Sequence, residues 1–293
     1  MSKPKALCIL SNVNLGVVFS LKLISTLFDV AVYGVNSQVI KKLTTGIMDQ
    51  FKIKYRILKT DPNEEAFDTC FLLTFVGPEI AIFTNMKTNL KVIIDSCPDF
   101  GYRYKITKES AADLYLKCEY DTEKKYIPEI RNLQFYTPIK IKSKEKIYDF
   151  FIPYLGHPTE LINSIVDDII ENYSNIRLKV GMESFDDFIN SIAETRYIIN
   201  FGQIKNSYVF YYGLSCKTTS LISIPPRNSK LNIKPNIHYY KIDKIRNLLD
   251  IISDLFNSTN TEISRTGYYF IQQHHNLEKR SSELQNILNE LIY

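Results

Sequence analysis

The sequence predicts an α/β protein of two Rossmann-like domains with mainly parallel sheets, closed by a long C-terminal helix. Three observations predict it. Short apolar runs alternate with segments of helical periodicity from the first residues onward, which is the pattern of βαβ units. The alternation lapses over residues 121 to 148, which are rich in Lys, Pro and Tyr, and then restarts. The chain has 293 residues, more than one hydrophobic core usually serves.

The first half opens with an apolar strand over residues 6 to 10, a polar loop over 11 to 16 and a helix over 17 to 28. A strand over 30 to 33 completes a βαβ unit, which implies parallel pairing with a right-handed crossover. Residues 40 to 51 read as a helix and 54 to 58 as a strand. A strand over 70 to 75 is ended by Gly77-Pro78, and a short helix follows over 79 to 85. Residues 90 to 94 read as a strand, 107 to 114 as a helix and 116 to 119 as a strand.

The second half repeats the plan without repeating the sequence. Residues 149 to 154 read as a strand and 159 to 172 as a helix capped by Thr159. Its apolar stripe is Leu161, Ile162, Ile165, Val166, Ile169 and Ile170. A strand over 176 to 180 ends at Gly181, and Ser184 caps a helix over 185 to 194. Strands over 197 to 201, 220 to 224 and 237 to 240 and helices over 208 to 215, 244 to 256 and 267 to 293 complete the chain. The domains are therefore expected at residues 1 to 120 and 149 to 266, with a connection over 121 to 148.

Composition limits the partners. The net charge of +4 is too small to argue for a dedicated nucleic-acid binder. The five cysteines are odd in number and show no CxxC spacing, and Cys8 and Cys70 lie inside apolar strands. Reduced, buried thiols in a cytoplasmic protein are the expectation. Residues 1 to 18 do not read as a secretory signal, and no apolar run approaches the roughly 20 residues that cross a bilayer.

Chemistry-bearing residues fall at strand ends. Asp95 directly follows an apolar strand, and ligands of open parallel sheets sit beyond such carboxyl ends. Asp95 is thus a candidate general base or, equally, a cap on the turn at 96 to 99. Leu155-Gly156-His157-Pro158 joins a strand to a helix, so helix amides face a loop where glycine permits close approach of a phosphate; an ordinary turn fits as well. Asn12 and Asn14 lie in the first loop, which is not GxGxxG. Lys205, Asn206 and Ser207 precede a Tyr-rich helix and are candidates for diphosphate oxygens; a solvated loop fits as well. His274 and Glu278 share a helix face, but two ligands do not make a zinc site. Asp167-Asp168 and Asp186-Asp187 sit inside amphipathic helices, so no essential metal is expected.

The second half, with "NIRLKVG", a capped amphipathic helix, "RYIINFG", a further helix and "SLISIPP" in that order, resembles the nucleotide-binding domain of GT-B-class glycosyltransferases. In layout the chain is most similar to the phage beta-glucosyltransferases that modify hydroxymethylated cytosine in DNA. The resemblance implies an acceptor domain in the first half and a C-terminal helix that crosses back to it. It implies a sugar transferred from a nucleotide donor, a UDP-sugar above all, to a hydroxyl acceptor, with DNA or protein as acceptor and a viral setting. Asp95 would be the base. Gly156, His157, Lys205, Asn206 and Ser207 would meet the donor diphosphate, and Gly181 and Met182 the base of the nucleotide. Asn12, Asn14 and Arg103 would lie on the acceptor side. The chain departs from the class where a Glu grips the donor ribose, because Tyr212 stands there, and a phenol cannot bridge two hydroxyls as a carboxylate does. A degenerate, non-catalytic binding subunit is the competing expectation.

Overall fold

The computed structural model describes all residues except 1, 44–46, 75–77, 97–109, 119–129, 134–139, 155–158, 202–206, 226–231, 244–246, 257–260 and 293. The chain divides into two compact units. One comprises Met1–Pro138 with Leu277–Tyr293, the other Ile139–Asn276.

In the first unit β1 (Lys5–Leu10), β2 (Asp29–Gly34), β3 (Arg56–Ile57), β4 (Thr69–Leu72), β5 (Leu90–Asp95), β6 (Leu114–Cys118) and β7 (Ile130–Leu133) form one sheet. Among the described residues its order is β3-β2-β1-β4-β5-β6-β7, and every pairing is parallel. A parallel sheet needs cover on both faces, so its strands are apolar without alternation. β1 shows this: residues 6 to 10 are fully buried.

The helices of this unit are α1 (Leu15–Leu27), α2 (Ser37–Leu43), α3 (Ile47–Gln50) and α4 (Glu79–Asn85). Asn14 starts α1 because its side chain accepts from the Val17 N–H at 3.0 Å. Phe28, just past α1, meets Phe71 of β4 edge-on with ring centroids 5.5 Å apart.

The second unit holds β8 (Tyr148–Ile152), β9 (Leu178–Val180), β10 (Thr195–Asn200), β11 (Ser220–Ser223) and β12 (Tyr240–Lys241). Their order is β12-β11-β10-β8-β9, again parallel throughout. Its helices are α5 (Glu160–Asn172), α6 (Phe185–Glu194), α7 (Ser207–Gly213), α8 (Leu248–Phe256) and α9 (Glu262–His274). Ser184 caps α6 by accepting from the Asp187 N–H at 3.1 Å. At the amino edge Asp149 holds β8 against β9 through a bidentate pair with Arg177, at 2.9 and 3.1 Å.

Several expectations need correction. The helix expected at 107 to 114 does not reach its end, because residues 110 to 113 form a turn and Leu114 opens β6. β7 extends the first sheet into the stretch read as a connection. Of the helix expected over 40 to 51 the described residues show α2 and α3 on either side of 44–46, and residues 237 and 238 turn rather than extend. Leu161 and Ile170 of α5 are exposed, so the buried stripe narrows to Ile162, Ile165 and Ile169.

The C-terminal helix is also not continuous. It breaks at His275 and Asn276, and α9 stays in the second unit while α10 (Leu277–Ile292) returns to the first. The break is built by His275, which is buried against Tyr211, and by Asn276, whose Nδ2 donates back to the Gln272 carbonyl at 2.7 Å. α10 packs on α1, where Ser281 and Thr26 share a hydroxyl bond of 2.7 Å and Leu284 is fully buried.

Gly267 sets how closely α9 can approach its neighbours. A Cβ there would stand 2.3 Å from the His238 carbonyl oxygen and 2.8 Å from Leu214 Cδ2. Gly→Ala inside a helix normally stabilises by about 1 kcal/mol. Here the contact reverses the sign, and Gly267→Ala is expected to cost about 1–3 kcal/mol. Urea unfolding measures it, and a raised midpoint would contradict this packing.

Candidate functional site

Where strand order reverses, neighbouring crossovers leave on opposite faces and open a crevice at the carboxyl ends of the strands. In the first unit that point lies between β1 and β4, and in the second between β8 and β10. The site is built from what the sequence places there.

At the first point stand Ser11, Thr74 and Glu79, none of which the sequence reading singled out. Ser11 follows β1, Thr74 lies just past β4, and Glu79 opens α4. The Thr74 hydroxyl accepts the Ser11 N–H at 2.7 Å, and the Ser11 hydroxyl donates to Glu79 Oε1 at 2.6 Å. Glu79 is fully buried. A polar residue immediately after an apolar strand, and an acid in the first turn of the helix after Gly77-Pro78, were the available signals.

Asn12 and Asn14 lie beside this cluster with local duties. Asn14 caps α1, and Asn12 Oδ1 accepts from Lys42 Nζ at 3.3 Å. Arg103 lies outside the described residues.

Asp95 ends β5 as expected, but its surroundings differ from those of an open proton acceptor. It is fully buried, and Lys117 Nζ, itself 3% exposed, donates to Asp95 Oδ2 at 2.7 Å. The Tyr115 hydroxyl donates to the same oxygen. The register explains the grouping. Asp95 pairs directly with Lys117 on parallel β6, and Tyr115 lies two residues back on the same face. The arrangement is a buried charge pair that ties β5 to β6.

In the second unit Gly156, His157, Lys205 and Asn206 lie outside the described residues, and of Ser207 only its place at the start of α7 is described. Gly181 follows β9 with φ +78°, a conformation that favours glycine. Its N–H donates to the Ile152 carbonyl at 2.9 Å, and the Met182 N–H to the Tyr154 carbonyl at 3.0 Å. A Cβ on Gly181 would lie 3.1 Å from the Tyr154 ring. The strand-end glycine thus ties β9 to the segment leaving β8, next to the crevice. Asn200 ends β10 at the same edge, buried, with Nδ2 donating to Ser223 Oγ of β11 at 3.1 Å. Tyr154, Asn200 and Ser223 were not anticipated; polar residues closing the runs "RYIIN" and "SLIS" were the signal.

Tyr212 lies on α7. It is fully buried, with its ring edge-on to Phe185 at 5.6 Å and Phe188 at 5.7 Å. Its side chain packs in the core of the second unit. Four cysteines, Cys8, Cys70, Cys118 and Cys216, are free and buried, and burial pushes the Cys70 thiol up to about 12. Cys97 lies outside the described residues. No described helix is long and apolar enough to cross a membrane.

The whole chain superposes on solved structures. A glycosyltransferase from Rickettsia africae matches with a TM-score of 0.61 at 12% identity, over 100% of this chain and 99% of that one. TarM from S. aureus, in complex with fondaparinux, alpha-GlcNAc-glycerol and UDP, matches at 0.60 and 10% identity, over 98% and 100%. A UDP-GlcNAc 2-epimerase from Neisseria meningitidis bound to UDP-GlcNAc matches at 0.55 and 8%, over 98% and 100%. The fold is GT-B. The likeness is one of architecture at these identities, and it extends over both units of the GT-B fold. No protein-family model and no curated protein matches the sequence.

The Asp95–Lys117 pair makes a measurable claim. Removing one partner of a buried pair strands the other charge, at a cost of about 3–5 kcal/mol. Lys117→Met is expected to lose that much in denaturant unfolding, and Asp95→Asn added to it to recover most of the loss. A Lys117→Met loss below about 1 kcal/mol, the range of exposed pairs, would contradict an anchoring role.

Proposed function

We propose that the protein transfers a sugar from a nucleotide-sugar donor, a UDP-sugar above all, to a hydroxyl acceptor without needing a metal. The observation that carries this reading is the match of both units, end to end, to a glycosyltransferase, to a protein in complex with UDP and to one bound to UDP-GlcNAc. The second unit is the donor side in this reading. Its β8–β10 crevice supports the role: Gly181 lets the backbone turn tightly beside the place where the nucleotide base would lie, near Met182. The Gly156–His157 loop and the approach to α7 at Lys205, Asn206 and Ser207 would supply groups for the diphosphate.

A second reading is favoured by two specific observations. The position where the class places a ribose-gripping Glu is Tyr212, sealed in the core, and the strand-end Asp95 is paired with Lys117. A GT-B-like binding subunit without turnover fits those two facts.

Ligand-induced stabilisation separates the readings. A donor at about 100 times its Kd stabilises the fold by about 2.7 kcal/mol. Thermal unfolding with UDP, UDP-glucose and UDP-GlcNAc is expected to show a rise in Tm with at least one. Product analysis of the same mixtures is expected to show free UDP and a transferred sugar. Epimerised UDP-sugar would redirect the chemistry. Unchanged Tm with all three would leave the binding-subunit reading in possession.

A further inference from the structure

The first unit carries an open surface pocket of about 460 Å³, with Lys59, Asp61, Asn63 and Asn85 exposed around it, to which neither the Ser11 cluster nor the Asp95 pair contributes. It lies where β2 and β3 end side by side. Tyr33 comes from the end of β2, Lys59, Asp61 and Asn63 from the segment after β3, and Ile82 and Asn85 from α4. Tyr33 and Ile82 are packed on the buried core of this sheet face, so the apolar part of the wall is held in place. The loop side is fixed too. Asp61 Oδ1 accepts the Asn63 N–H at 2.9 Å and its Nδ2 at 3.1 Å, which shapes the single turn over Pro62–Glu64.

The size falls in the range of about 300–1,000 Å³ typical of small-molecule sites. The chemistry of the lining narrows the class. One lysine and one aspartate cancel formally, so a multiply charged phosphate meets no surplus of cations. A purely apolar ligand would cover the Lys59 ammonium and the Asn85 carboxamide without offering either a hydrogen bond. An aromatic ring beside carboxamides and a carboxylate suits a ligand with apolar C–H faces and many hydroxyls. Carboxamides both donate and accept, as hydroxyls require.

We propose that this pocket binds a neutral saccharide of one or two rings, with the Tyr33 ring against a C–H face and Asn63, Asn85 and Asp61 on its hydroxyls. This inference holds whether or not the second unit binds a nucleotide.

The test is saturation-transfer NMR on the full chain without nucleotide. The probes are methyl glucoside, methyl N-acetylglucosaminide, maltose and chitobiose, with pyrophosphate as the anionic contrast. At least one saccharide is expected to bind, and Asn85→Leu and Tyr33→Leu are each expected to raise its Kd about tenfold. Asn85 is exposed, so Asn85→Leu leaves the fold intact, and Tyr33→Leu keeps an apolar side chain on the core. Saturating UDP is expected to leave the saccharide bound. The proposal is overturned by no binding of any saccharide, by equal binding to both variants, by displacement with UDP, or by pyrophosphate competing at this site. A missing UDP effect on Tm would leave the saccharide result untouched.

Discussion

Both units depend on one constraint, the burial of a parallel sheet on its two faces. Residues 6 to 10 of β1 and 150 to 152 of β8 are sealed from water, so each first strand must be flanked by strands and covered by helices. Parallel pairing in turn requires every connection to cross back over the sheet, which brings all strand carboxyl ends to a single edge. Polar residues gather there for that reason: Ser11, Thr74, Glu79 and Asp95 in one unit, Asn200 and Ser223 in the other, with the turn glycine Gly181 nearby.

The two networks of the first unit differ in kind. Around Glu79 the partners are the hydroxyls of Ser11 and Thr74, short side chains held by the strand ends that carry them. Around Asp95 the partners are an ammonium and a phenol from β6, fixed by the strand register. A buried ion pair offsets its own desolvation only roughly, so its contribution lies in fixing geometry more than in net stability. It locks β5 to β6 at the edge from which residues 96 onward depart. The amino edge of the second sheet uses the same device in a more exposed form, with Asp149 clamped by Arg177. Burial works to raise the Asp149 carboxyl, and the bonds from Arg177 outweigh it and hold the group below its usual value.

Much of this architecture was legible in the sequence because its punctuation is strong. Residues 79 to 85 and 185 to 194 were read to the residue, since Gly77-Pro78 and Ser184 mark where each helix starts. What failed to show depended on distant partners. β7 is four residues in a Lys- and Tyr-rich stretch, and only the edge of β6 makes it a strand. The break between α9 and α10 lies in a stretch with unbroken helical periodicity, and the burial of His275 against Tyr211 decides it. The strand-end position of Asp95 is legible, but its partner is 22 residues away on a neighbouring strand. The lysine inside the apolar run "LYLKC" was the available hint, since a charge there needs a buried counter-charge. Tyr212 was aligned to a functional position, yet its flanking aromatics, Phe185 and Phe188, belong to a helix that the local sequence does not reveal as its neighbour.

The central claim is that the second unit holds a nucleotide diphosphate at the reversal point of its sheet. A crystal structure of the protein soaked with UDP tests it most directly. The account predicts density at the carboxyl ends of β8 and β10, with the uracil beside Gly181 and Met182. Ordered UDP bound instead at the first sheet, or away from both reversal points, would contradict it.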